Sequence, residues 1–217
     1  MKRSKSQVAG LATVMMLGLP AVSSAEDRTY VGFHGMWTDL KDAEFQVAPG
    51  TIDTEYDSGA GFGITLGRTY GAIRGELEYT ARMNDVKSHS LNGSSKLPGS
   101  SGEANSSAFM VNGYYDISTN SAFTPYIGAG IGMAKVKFEN FGVTPIPDVL
   151  DDSGTQFAYQ FMLGSDVKLS DTWNLFAEYR YFRTEDVDAT TSNVTGAVDN
   201  SIAYRTNNVL LGARVFF

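Results

Sequence analysis

The stretch AIRGELEYTARM, residues 72–83, separates into two sets when read by twos. Ile73, Gly75, Leu77, Tyr79, Ala81 and Met83 form one; Arg74, Glu76, Glu78, Thr80 and Arg82 form the other. Successive side chains of a β-strand point to opposite faces, so this is a strand with one apolar and one charged side. A water-soluble sandwich would turn the apolar set inward, whereas a sheet closed within a bilayer would turn it outward. The rest of the chain decides between them.

At the start, Lys2, Arg3 and Lys5 precede an apolar run from Val8 to Val22, followed by SSA and Glu26. A basic beginning, an apolar run broken by Pro20 and small residues before a cleavage point describe a secretory signal peptide; a spanning helix would need about 20 apolar residues. The expected organisation is a signal peptide over residues 1–25 and one β-barrel domain over 26–217. Of the 17 basic residues three lie in that leader, which has no acid, so 14 basic residues face 24 acidic ones in the remainder, a net charge of −10. Such a surface argues against nucleic acid as a partner. There is no cysteine, so an exported chain must be held together without disulfides, and closed backbone hydrogen bonding would serve.

Eight segments alternate with period two, near residues 29–38, 59–69, 72–83, 107–116, 124–137, 155–167, 173–183 and 202–217. The connections alternate as well. Those over 39–58, 84–106, 138–154 and 184–201 are long and polar or rich in Gly and Ser, while TYG, DISTNSAF and KLSDT are tight turns. An up-and-down meander with every second loop long is the plan of an eight-stranded antiparallel transmembrane β-barrel, with short periplasmic turns and long extracellular loops. A soluble sandwich gives no reason for that asymmetry.

The apolar set, including Leu77, Tyr79, Phe161 and Leu211, is therefore expected to face lipid. Aromatic residues near its ends would form two interfacial girdles, Trp173, Tyr115, Tyr70 and Phe217 by the turns and Trp37, Phe109, Phe157, Tyr159 and Tyr181 by the loops. The other face is expected to fill a narrow lumen with an ion network of Arg74, Glu76, Glu78, Arg82, Glu178, Arg180 and Arg214, with glycines where bulk would not fit.

PYIGAGIGMAKV, WNLFAEYRYF and the ending NNVLLGARVFF resemble the small eight-stranded outer-membrane proteins: the OmpA-type transmembrane domain, OmpX, the opacity proteins and related bacterial surface antigens. The resemblance covers the whole exported part. It implies that Val209, Leu211, Ala213, Val215 and Phe217 are the signal read by the barrel-assembly machinery, and that residues 202–217 lie beside 29–38. It also implies a monomer in the bacterial outer membrane.

Other motifs favour plainer readings. GAGFG (59–63) and GAGIG (128–132) lie within strands and no helix follows, so they lack the context of a phosphate-binding loop. Glu76 with Glu78, or Glu78 with Glu178, could be a catalytic acid pair, but four arginines share their face and would hold them ionised. Of the two histidines, His34 falls on the inner face, and SHS (88–90) with Asp85 is the local candidate for hydrolytic chemistry. Asp151 with Asp152, and Glu185, Asp186 and Asp188, lack the spacing of a calcium loop. No cofactor or dedicated metal site is expected.

The long connections carry net charges of −5 (39–58), 0 (84–106), −4 (139–154) and −4 (184–201). Beneath them Lys135, Lys137 and Arg183 share the outward parity and are expected to meet the phosphates of lipopolysaccharide. The function expected is that of a non-enzymatic outer-membrane barrel for envelope integrity, adhesion or surface display, touching outer-membrane lipid and, through its loops, host or surface ligands. The alternatives are a narrow pore or small-molecule binder and a lipid-modifying enzyme.

Overall fold

The structure is a computed structural model and describes residues 27–41, 43–47, 50–91, 101–143, 146–193 and 196–217. The expected signal peptide over 1–25 lies outside the described residues. Ten strands follow one another: β1 (Thr29–Leu40), β2 (Ala43–Val47), β3 (Gly50–Tyr56), β4 (Gly59–Tyr70), β5 (Ile73–Leu91), β6 (Ser101–Asp116), β7 (Phe123–Val143), β8 (Ile146–Lys168), β9 (Trp173–Asn193) and β10 (Gly196–Phe216). All pairings are antiparallel, and β1 lies between β4 and β10, closing a wall of β1, β4, β5, β6, β7, β8, β9 and β10. Closure leaves the membrane part without an edge, as hydrocarbon requires.

The register fixes the shape. Cross-strand partners run from Leu40 through Thr206, Phe182, Gln160, Gly130, Asn112, Glu76 and Gly67 back to β1 at Tyr30, a stagger of 40 − 30 = 10 residues. Ten residues of about 3.3 Å over eight strands about 4.8 Å apart tilt the strands by roughly 40°. The connections at one end are short. Gly71, at φ 62°, makes the two-residue turn between β4 and β5, where the left-handed region suits a residue without Cβ. At the turn between β8 and β9, Lys168 pairs with Asp171 at 2.7 Å and holds its carboxyl below the usual range.

The opening stretch shows its apolar set to the outside. Leu77, Phe161 and Leu211 are 54%, 58% and 68% exposed, whereas Glu76 and Arg180 are 4% and 1% exposed. Trp173, Tyr115, Tyr70 and Phe217 lie exposed toward the turns, and Trp37, Phe109 and Phe157 toward the opposite end. Inside, bulky rings lie over glycines on the next strand: Tyr30 is the cross-strand partner of Gly67, and Tyr126 that of Gly164. A Cβ added at either glycine would meet the ring and hydroxyl of its tyrosine.

One expectation is corrected. The segments 39–58, 84–106, 138–154 and 184–201 are, over their described residues, mostly strand. β2 and β3 form a hairpin whose second strand pairs with the upper part of β5, and β7, β8, β9 and β10 run for 21, 23, 21 and 21 residues. A tilted strand needs about 9–11 residues to cross the bilayer, so these strands continue well beyond it, β7 paired with β8 and β9 with β10, while β8 and β9 part above Ala158 opposite Thr184. Above the membrane the outer face is wet and need not be apolar, so the alternation fades while the ladder persists. The upper lumen is not polar throughout either, because Leu40, Tyr56, Val136, Phe182 and Tyr204 join a buried apolar cluster there.

Nitroxide labels at Leu77, Phe161 and Leu211 in a reconstituted bilayer should be relaxed by oxygen and shielded from a water-soluble relaxer. The reverse accessibility would mean that the apolar face is not in contact with lipid.

Candidate functional site

The inner face of β5 presents Arg74, Glu76, Glu78 and Arg82 at alternate positions, and the register brings β8, β9 and β10 across the lumen to meet them. Arg180 sits between two acids: its Nη2 is 2.7 Å from Glu178 Oε1, its Nε donates to the same oxygen at 2.9 Å, and its Nη1 pairs with Glu78. The second oxygen of Glu78 accepts from Asn112 and, at 3.3 Å, from Gln160, which also donates to Asn112 at 2.8 Å. His34 Nε2 lies 3.9 Å from Glu78.

Nearer the turns a second cluster centres on Asp166. It pairs with Arg74 at 3.1 Å and with Arg214, while Arg74 also reaches Asp116 at 3.2 Å and Arg214 reaches Glu76 at 3.5 Å. Tyr30 donates to Glu76. Tyr126 joins the two layers: its hydroxyl donates to Glu178 at 3.0 Å, and its ring lies 4.6 Å from the Arg74 guanidinium and 5.4 Å from that of Arg214. Buried charges persist when each is paired and its remaining lone pairs are bonded; here every carboxylate of the two layers meets an arginine, while among the described residues Arg74 Nε and Gln160 Oε1 are buried without a hydrogen-bond partner.

Six of the seven network residues expected from sequence are brought together here; Arg82 stands apart. Among the described residues it has no ion-pair partner: its Nη1 donates to Thr80 at 3.1 Å and its guanidinium lies 4.0 Å over the Phe182 ring. Asp166 and Asp116 complete the lower cluster in its place. They shared the inward parity, but which arginine each would meet depends on the ten-residue stagger, which no single strand reveals.

The arrangement has little room for catalysis. Glu76, Glu78 and Glu178 are each tied to an arginine. Ser88 donates to Glu55 at 3.1 Å and His89 Nδ1 is 2.9 Å from Thr54 Oγ1, so each is engaged by β3. Among the described residues no group of three or more His, Cys, Asp and Glu is placed to hold a metal ion. A cavity of about 200 Å³ opens at the turn end, lined by Arg74, Asp116, Asp166, Thr69, Ser118 and Thr124 among others.

On the outer face, Lys135 and Lys137 are exposed on β7 and Arg183 is half-buried on β9. They follow directly on the last apolar residues of their strands, Met133 and Tyr181. The strand that carries Val209, Leu211, Ala213, Val215 and Phe217 forms the closing ladder with β1, from Tyr30 opposite Phe216 to Leu40 opposite Thr206. Val209, Leu211 and Phe217 are exposed, Val215 is half-buried and Ala213 is buried.

Replacing Arg180 by Met should destabilise the barrel by about 3–5 kcal/mol, because Glu78 and Glu178 lose their cation together. Adding Glu78→Gln and Glu178→Gln should recover part of the loss. Arg82→Met, which strands no carboxylate, should cost less than Arg180→Met. Urea midpoints of the refolded variants in one lipid check all three, and equal midpoints for wild type and Arg180→Met would remove the network from the stability account.

Comparison with known proteins agrees with this architecture. Residues 9–199 match the family described as outer membrane protein beta-barrel domain. The outer membrane protein PagN of Salmonella typhimurium is 33% identical over 119 residues, 50% of this chain and 48% of that protein, so the match spans about half its length. A Rickettsia bellii protein named "Putative adhesin" is 27% identical over 162 residues, 70% of this chain and 66% of its own. The crystal structure of Neisserial surface protein A superposes with a TM-score of 0.55 at 19% identity, covering 87% of this chain and 97% of that one. With a closed eight-stranded wall, an apolar exterior and a matched family over most of its length, the chain belongs to the outer membrane protein beta-barrel domain family and resides in the bacterial outer membrane.

Proposed function

We propose that this barrel is a non-enzymatic surface-interaction protein, whose paired strands above the closed wall are an ordered platform for adhesion to host or surface ligands. The observation that carries this reading is the length of the strands. At a tilt of roughly 40° the 23 residues of β8 rise roughly 55–60 Å, about twice the ~25 Å apolar band. The β8–β9 ladder ends at Ala158 opposite Thr184, while β7 with β8, β9 with β10, and β3 with β2 and β5 stay paired beyond that level, so ordered strand pairs stand above the closed wall and the apolar cluster at its top. Kinship with proteins bearing the names PagN and adhesin supports the same reading.

Enzyme function is not favoured by the engaged state of His89 and Ser88 or by the arginine pairing of the inner carboxylates. A pore is not favoured by the lumen. Eight strands leave an interior that side chains fill, and here two ionic layers lie beneath an apolar one, so a hydrated ion would have to break the first and dewet the second. We also assign Val209, Leu211, Ala213, Val215 and Phe217 to recognition by the barrel-assembly machinery, since they lie along the one strand whose pairing closes the wall.

Replacing residues 43–56 by a short turn should lower adhesion of expressing bacteria several-fold and leave the heat-resistant folded band on gels unchanged. Undiminished adhesion, with the other connections also shortened, would refute the platform. In planar bilayers the wild-type protein should pass no steady current beyond rare brief openings; stable conductance would favour the pore.

A further inference from the structure

The top of the apolar band carries two further cations beside those that the sequence pattern singles out, Lys41 and Arg205. Arg183 of β9 and Arg205 of β10 are direct cross-strand partners, and the Lys41 amide donates to the Arg205 carbonyl at 3.0 Å, which carries the row onto β1. All three residues have the outward parity of their strands; Lys41 and Arg205 are exposed and Arg183 is half-buried. Three adjacent strands thus place three cations side by side. Lys41 is paired at 2.9 Å with Asp39, but among the described residues neither arginine has an ion-pair partner. Like charges directly opposite each other weaken a sheet, so an anion shared between them would relieve this row.

We propose that Arg183, Arg205 and Lys41 form a clamp for the phosphate groups of lipid A in the outer leaflet. Guanidinium forks on neighbouring strands can take one phosphate from two sides by paired, charge-assisted hydrogen bonds. The height is that of a membrane phosphate: Tyr159 lies opposite Arg183, the Tyr179 hydroxyl donates to Asn207 at 2.8 Å just below Arg205, and Val209 and Leu211 follow toward the turns as exposed apolar surface. The source of the anion is set by charge. Residues 42–58 and 184–204, the segments next above the row on β1, β9 and β10, hold five and four acids and no Lys or Arg, so anions from the water phase are repelled while lipid arrives from the side. Lys135 and Lys137, opposite Thr155 and Ser153 on β8, are the second contact of the same collar two strands away.

The test uses full-length protein reconstituted in phosphatidylcholine, with its thermal unfolding midpoint followed as lipid A is added. Bisphosphorylated lipid A should raise the midpoint of the wild type, and dephosphorylated lipid A should not. Arg183→Gln with Arg205→Gln should lose more than half of that rise. Arg205→Glu separates binding from folding: it converts the like-charge pair into a cross-strand ion pair, so its midpoint in phosphatidylcholine should equal or exceed that of the wild type while the response to lipid A falls. An equal response in both variants, an equal rise with dephosphorylated lipid A, or the same rise with inorganic phosphate alone would each overturn the clamp. The inference rests on residence in the outer membrane and not on adhesion, so a barrel with residues 43–56 replaced should keep the full response even if it no longer adheres.

Discussion

The closing ladder between β1 and β10 is the constraint on which everything else depends. In hydrocarbon an open edge would leave a row of N–H and C=O groups unpaired at several kcal/mol each, so the strand at the end of the chain must find the one at its beginning. Closure with a stagger of ten residues then decides which side chains meet across the lumen. The ion layers, the cavity at the turn end and the cation row on the outside are all consequences of that single register.

The inside and the outside answer different solvents with the same chain. Lipid takes the apolar set without demanding specific partners, so Leu77, Phe161 and Leu211 need only be large and apolar. The lumen has neither lipid nor bulk water, and each charge there must be matched: Arg180 by Glu78 and Glu178, Arg74 and Arg214 by Asp166. Arg82 is the exception, held by Thr80 and the face of Phe182. A guanidinium on a desolvated ring recovers about 2 kcal/mol, less than a buried carboxylate would return.

What could be read from the sequence follows the same division. Period-two alternation exists where one face touches lipid, so the eight membrane strands and their inward residues were legible from patterns such as AIRGELEYTARM. Above the bilayer both faces of a strand can be polar, the period disappears, and β2, β3 and the upper halves of β5 to β10 read as loop. Lys41 was missed for that reason, since it follows β1 into a stretch read as a connection; Arg205 lies in the strand read over 202–217 on the parity of Val209 and Leu211, but nothing in that strand alone shows that it stands opposite Arg183. The partners of Arg74 and Arg214 were hidden for a different reason: Asp166 is 92 residues from one and 48 from the other, and only closure around the barrel brings them together.

The rings that lie over glycines have a consequence for descent. Tyr30 needs the bare backbone of Gly67, and Tyr126 that of Gly164, so neither member of a pair can grow while the other stays large. Lineages diverging from this barrel should therefore change these positions two at a time, a smaller ring accompanying a larger partner. Because lipid asks only for apolar bulk on the outer face, such reciprocal exchanges inside would preserve the strand register after most direct likeness had gone.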